Sequence, residues 1–226
     1  MLIVAAVLAL LAVTTVPSLW VRWTLQRHAA DREDFPGTGG ELARHLLNRY
    51  DLPGVAVERS DGGDHYDPVA KAVRLTPAHF DGRSVAAVAV ATHEVGHALQ
   101  DAGGDRFLLL RQRLAALASV TDKLAGVFFL ASPVFGVLAR TPLAFGALVA
   151  VGVALLSVRV VATLVTLPVE FDASFRKAMP ILSDGNYLHE ADLPAARSVL
   201  RAAALTYLAA ALISLVNLAR WIRLLR

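Results

Sequence analysis

Two histidines four residues apart enclose a glutamate in the run His93-Glu94-Val95-Gly96-His97. On a helix, positions i and i+4 stack on one face, so both imidazoles can offer a nitrogen to a single ion. Zinc accepts that geometry, and Glu94, beside the first histidine, can reach a water held at the ion and draw a proton from it. Gly96 leaves no side chain between the two ligands, which lets another segment approach closely. The plain alternative is a chance His-Glu-x-x-His on a solvated helix face. Against it, the motif follows a buried-looking apolar run, 85–91, as a helix packed in a core would show.

The chain has no cysteine, so any zinc must be held by histidine and carboxylate, and a catalytic site needs a third protein ligand with the fourth position left to water. The extended pattern with a third histidine just downstream is absent, because position 100 is Gln100 and position 103 is Gly103. Candidates further on are Glu170, Asp172, Asp184, His189, Glu190 and Asp192. Glu170 follows an apolar hairpin, and two crossings of a bilayer return a chain to the side it left. That places Glu170 on the same membrane face as His93 and His97. Its alternative is an ordinary interfacial acid near Arg176 and Lys177.

The elements that must position these groups are set by composition. The 226 residues are 56% hydrophobic with a mean hydropathy of +0.53, too apolar for an ordinary soluble domain. Residues 1–21 carry no charged side chain and read as a first transmembrane helix, with Trp20 and Trp23 as interfacial anchors. Residues 22–121 have the composition of a soluble domain. Leu42, Leu46 and Leu47 give a helix over 41–50 after a Pro/Gly breaker run, two short strands fall at 55–58 and 71–76, and Ser84 caps a helix that stops at Gly103-Gly104. Residues 122–168 form a transmembrane helical hairpin turning at Arg140-Thr141-Pro142. A polar segment at 169–198 carries the third-ligand candidates, and 199–226 is a last span with a basic tail. The expected fold class is therefore a mainly α membrane protein: transmembrane helices plus a small α+β zincin-like domain, with the His-Glu-x-x-His motif on a helix.

The net charge of +3 and pI of 9.6 come from scattered arginines without interleaved aromatics, which excludes a nucleic-acid partner as the expectation. Arg22, Arg27 and Arg32 follow the first span and nothing basic in side chains precedes it, so the soluble domain is expected on the cytoplasmic side of the membrane. The C-terminal arginines argue against that orientation if there are four full spans. Arg159, at membrane depth, is read as snorkelling, with pairing to a carboxylate near the site as the alternative. His65 and Tyr66 could donate hydrogen bonds to a developing oxyanion, although a turn with Asp67-Pro68 is more often structural. His28, His45, His79 and His189 are read as exposed or interfacial.

Several runs taken together resemble the bacterial membrane zinc peptidases of the YugP type: Asp64-His65-Tyr66-Asp67-Pro68, Gly82-Arg83-Ser84-Val85, His93-Glu94-Val95-Gly96-His97-Ala98, Thr166-Leu167-Pro168-Val169-Glu170-Phe171-Asp172-Ala173-Ser174 and Ala202-Ala203-Ala204-Leu205-Thr206-Tyr207. The run from Glu170 to Ser174 also resembles the Glu-[Phe/Tyr]-x-Ala-Asp segment of HtpX-like membrane peptidases, whose glutamate is the third zinc ligand. The resemblance implies that role for Glu170. The closing aspartate of that segment is Ser174 here, so either Ser174 or Asp172 is left to support the site. The expectation that results is an endopeptidase of the bacterial cell membrane that uses zinc and a water activated by Glu94. Its substrates would be proteins or peptides at or in the bilayer, taken up by strand addition at the edge of 71–76. The rival is a membrane scaffold or chaperone-like protein with a structural or inactive zinc site. An intact Glu94 speaks against the rival, since a structural site has no use for a base there.

Overall fold

The computed structural model describes residues 2–138 and 141–206, without the side chains of 2–11, 13, 14, 129, 131–138, 142, 149 and 156. Most of the expected crossing at 199–226 thus lies outside the described residues. The protein is mainly helical with one small sheet. Helix α1 (Leu2–Arg27) leads to α2 (Gly39–Arg49), strands β1 (Ala56–Arg59), β2 (His65–Asp67) and β3 (Ala72–Leu75), and a single turn, α3 (Pro77–Phe80). Then come α4 (Val85–Ala102), α5 (Arg106–Leu138), α6 (Pro142–Phe171) and α7 (Met179–Asp184). A further helix, α8, occupies 193–206.

The ends of the short helices follow their capping residues. Thr38 and Glu41 form a reciprocal capping box at the start of α2. The Ser84 hydroxyl accepts the Ala87 amide at the start of α4, and Gly103 follows its last turn. Alanine and valine fill the first half of α4 and leave it buried nearly all round, as a central core helix must be. Leu46 and Leu47 of α2, Val73 and Leu75 of β3, Leu182 of α7, and Val199 and Leu200 of α8 close around it. Burying such side chains stabilises by about 1.5–3 kcal/mol each.

The sheet has the order β1-β3-β2, with β1 parallel and β2 antiparallel to β3. Two expectations change here. Residues 65–67 form a third strand rather than part of a turn, with Tyr66 opposite Val73. The strand within 71–76 is paired on both sides and has no free edge for a substrate; a free edge belongs to β2. The signal for β2 was hidden because a three-residue strand between Gly62-Gly63 and Pro68 is too short to show alternation.

Helices α5 and α6 pack along each other as a hairpin, and Arg159 of α6 pairs with Asp122 of α5. Of the two readings of Arg159, it is the pairing with a carboxylate that the facing helix supplies. Among the described residues one helix, Leu143–Asp184, is long and apolar enough to cross a membrane by length and composition. It does not stop at Pro168. The chain continues helically from α6 through a π-helical stretch, Asp172–Ala178, into α7, so Glu170 sits within a long helix.

Candidate metal centre

Helix α4 and the C-terminal end of α6 bring His93, His97 and Glu170 together, with ligand atoms all within 4.8 Å of one another. Glu170 Oε2 lies 3.2 Å from His93 Nε2 and 3.5 Å from His97 Nε2. All three residues are buried. The close approach is possible because residue 96 is glycine: a Cβ there would stand 3.0 Å from the Ala173 carbonyl oxygen. The π-helical stretch that begins two residues after Glu170 is what meets α4, and such widened turns recur at functional sites.

Outer hydrogen bonds fix the imidazole protons. His93 Nδ1 lies 3.0 Å from Ser174 Oγ, and that hydroxyl donates its only proton to Leu200 O at 3.2 Å. The serine oxygen must therefore accept from Nδ1–H. His97 Nδ1 donates to Gln100 Oε1 at 2.8 Å, and Gln100 Nε2 donates in turn to Val169 O and Asp172 Oδ2, both at 2.9 Å. With both Nδ1 atoms protonated, neutral imidazoles turn two Nε2 lone pairs toward a carboxylate oxygen. Three electron-rich atoms so placed repel one another unless a cation sits among them. Two imidazoles and a carboxylate also form a ligand set that zinc takes in open, three-ligand sites. The residues present fit the metal.

Glu94 is buried beside this group. Burial first, and then the neighbouring Glu170 and Asp64 carboxylates, push its carboxyl up to about 7 with no metal at the site. His93, Glu94, His97 and Glu170 line one cleft of about 300 Å³, whose lining also includes His65 and Tyr66 of β2 and Leu108, Arg111, Gln112 and Ala115 of α5.

The remaining expected residues divide. Asp172 and Ser174 each take part in the outer bonds, Asp172 through Gln100. His65 lines the cleft, and its Nδ1, 3.1 Å from Gly63 O, is held by that carbonyl. Tyr66 also lines the cleft, yet its hydroxyl donates to Asp101 Oδ2 at 2.6 Å, an oxygen that Lys71 Nζ also reaches at 2.5 Å. The phenol is thus committed to the fold. His79, expected at the surface, is buried. Its Nδ1 is 2.8 Å from Asp64 Oδ2, while Asp64 Oδ1 accepts the Thr76 amide and hydroxyl. This knot anchors the turn that carries His65. Asp184, His189, Glu190 and Asp192 are not part of the group.

Sequence reasoning missed Gln100 and Arg111. The first stands three residues after His97, one helical turn on, and that spacing was the available signal. Arg111 Nη1 lies 3.0 Å from Glu170 Oε1, an ion pair in which no N–H is aligned well enough to count as a hydrogen bond. Nothing local in α5 announces it.

A mainly helical fold that gathers two histidines and a glutamate of this kind is what a zinc peptidase requires. The family described as "Putative neutral zinc metallopeptidase" matches residues 2–226, and the chain belongs to that family. It is 39% identical over 187 residues to the "Putative membrane protease YugP" of Bacillus subtilis (strain 168), covering 82% of this chain and 79% of that protein. No solved structure matches.

Proposed function

We propose that this chain is a zinc-dependent endopeptidase of the cell membrane, with His93, His97 and Glu170 as metal ligands and Glu94 as general base. The observation that carries the reading is the convergence of two Nε2 atoms and Glu170 Oε2 while both Nδ1 protons are engaged elsewhere. Bound there, zinc supplies Lewis-acid polarisation of a carbonyl and acidifies a water. The chain's own residues do the rest. Glu94 takes a proton from the water onto its carboxylate and returns it to the departing amine. Ser174 and Gln100 hold the imidazoles in register, and Arg111 balances the charge of Glu170. His65, held at Nδ1, can turn Nε2 toward a developing oxyanion.

An extended peptide is proposed to add along β2, the outer strand that borders the cleft. Membrane association follows from the apolar helix and from the name of the relative. It favours substrates in or beside the bilayer. The further crossings at 1–21, at the first arm of the hairpin and at 199–226, and a cytoplasmic catalytic face, belong to the same proposal and rest on hydropathy and on Arg22, Arg27 and Arg32.

The test is cleavage of an unstructured protein such as casein by the detergent-purified, zinc-loaded chain, with Glu94→Gln in parallel. Cleavage that disappears in Glu94→Gln while zinc stays bound is the expected result. Zinc bound without cleavage by the wild type would favour the scaffold reading.

A further inference from the structure

Helix α5 forms one wall of the cleft through Leu108, Arg111, Gln112 and Ala115, positions spaced three and four apart on one helical face. Leu108 is buried and Arg111 faces Glu170. Gln112 differs. Its Nε2 is buried and has no hydrogen-bond partner among the described residues. Leaving a buried amide donor unmade costs about 1–3 kcal/mol, and native proteins keep few such groups without a reason. An apolar side chain of the same size would avoid the cost, so a glutamine here calls for a partner that arrives from outside the chain.

We propose that Gln112 Nε2 is a substrate-binding donor that takes a backbone carbonyl of an extended peptide lying between α5 and β2. This rests on the proteolytic reading above and adds a residue to it. Three features fix the class of ligand. The donor is neutral, which suits an amide carbonyl, whereas a carboxylate would be better met by a guanidinium. The Nε2 atom is itself buried, so a hydrogen bond formed there meets little competition from water. Across the cleft, β2 can offer main-chain groups to one edge of a peptide, and Gln112 then holds a carbonyl that the strand does not reach. Gln112 belongs to none of the outer bonds of the metal group, so its removal should leave zinc in place.

The experiment uses full-length, zinc-loaded protein in detergent carrying Glu94→Gln, which prevents turnover, and measures binding of a fluorescein-labelled casein peptide by anisotropy. Adding Gln112→Leu is expected to weaken binding about tenfold, the loss of one well-placed hydrogen bond. Gln112→Glu, which keeps the shape but loses the donor, is expected to weaken it at least as much. Zinc content should be unchanged, and the Gln112→Leu protein should melt at the same or a higher temperature, because the unpartnered donor is gone. Unchanged peptide binding in Gln112→Leu overturns this proposal alone, as does a clearly lower melting temperature, which would make the amide part of the protein's own packing. Zinc-loaded protein that takes up no peptide with Gln112 intact overturns the proteolytic reading, and this proposal with it.

Discussion

Ser174 Oγ accepts the Nδ1 proton of His93 and passes its own proton to Leu200 O on α8. One small hydroxyl thus ties α4 to α8 and sets the tautomer of His93. Ser174→Ala should leave the fold intact but free the ring to rotate, and zinc affinity should fall about 10- to 100-fold. Chelator competition on purified protein measures this, and an unchanged affinity would remove Ser174 from the site.

Gly96 is where α4 and the π-helical stretch touch. In Gly96→Ala the new Cβ would lie 3.0 Å from Ala173 O and 3.4 Å from Ala173 Cα. Both are backbone atoms that cannot swing aside. The stretch that carries Ser174 must retreat, which should cost about 1–3 kcal/mol of stability and weaken zinc binding at the same time. Thermal melting with and without zinc would show both; a variant as stable and as tightly metallated as wild type would mean that the contact is slack.

Asp64, which also lines the cleft, gives a pH signature of its own. Burial pushes its carboxyl up, but the hydrogen bond and charge of His79, with the Thr76 amide and hydroxyl, more than offset this and hold it below its ordinary 3.8. An acid depressed in the folded state contributes stability that is present above the unfolded value and is lost as pH falls through the folded one. Asp64→Asn should therefore be less stable than wild type near neutral pH, by about 1–3 kcal/mol. The gap should narrow as pH drops below about 4. Urea titrations across that range test it, and a gap that is constant or widens toward acid would contradict the assignment.

Much of the chemistry was legible because it is carried by local pattern. Ser84 and Gly103 marked the ends of α4, the i, i+4 pair of histidines marked one face, and Gly96 marked a close approach that Ala173 fills. Glu170 stood among the candidates for the third ligand, though its position inside a continuous helix was not visible, since Pro168 and the polar residues after it look like a stop. What escaped depends on contacts far apart in sequence. The Asp64–His79 pair joins a turn to α3, Arg159 finds its carboxylate, Asp122, across a hairpin, and Arg111 and Gln112 reach the cleft from α5, where no local spacing marks them out. The third strand was too short for periodicity to reveal, and with it the strand edge that borders the cleft.

His93, His97 and Glu170 are proposed to hold one zinc ion. Zinc X-ray absorption on the detergent-purified protein, wild type beside Glu170→Ala, tests it most directly. The account predicts one zinc per chain in the wild type, a first shell of nitrogen and oxygen at about 2.0–2.2 Å with scattering from two imidazoles, and loss of the metal or of one oxygen ligand in Glu170→Ala. A wild type that binds no zinc, or an identical first shell in the variant, would contradict it.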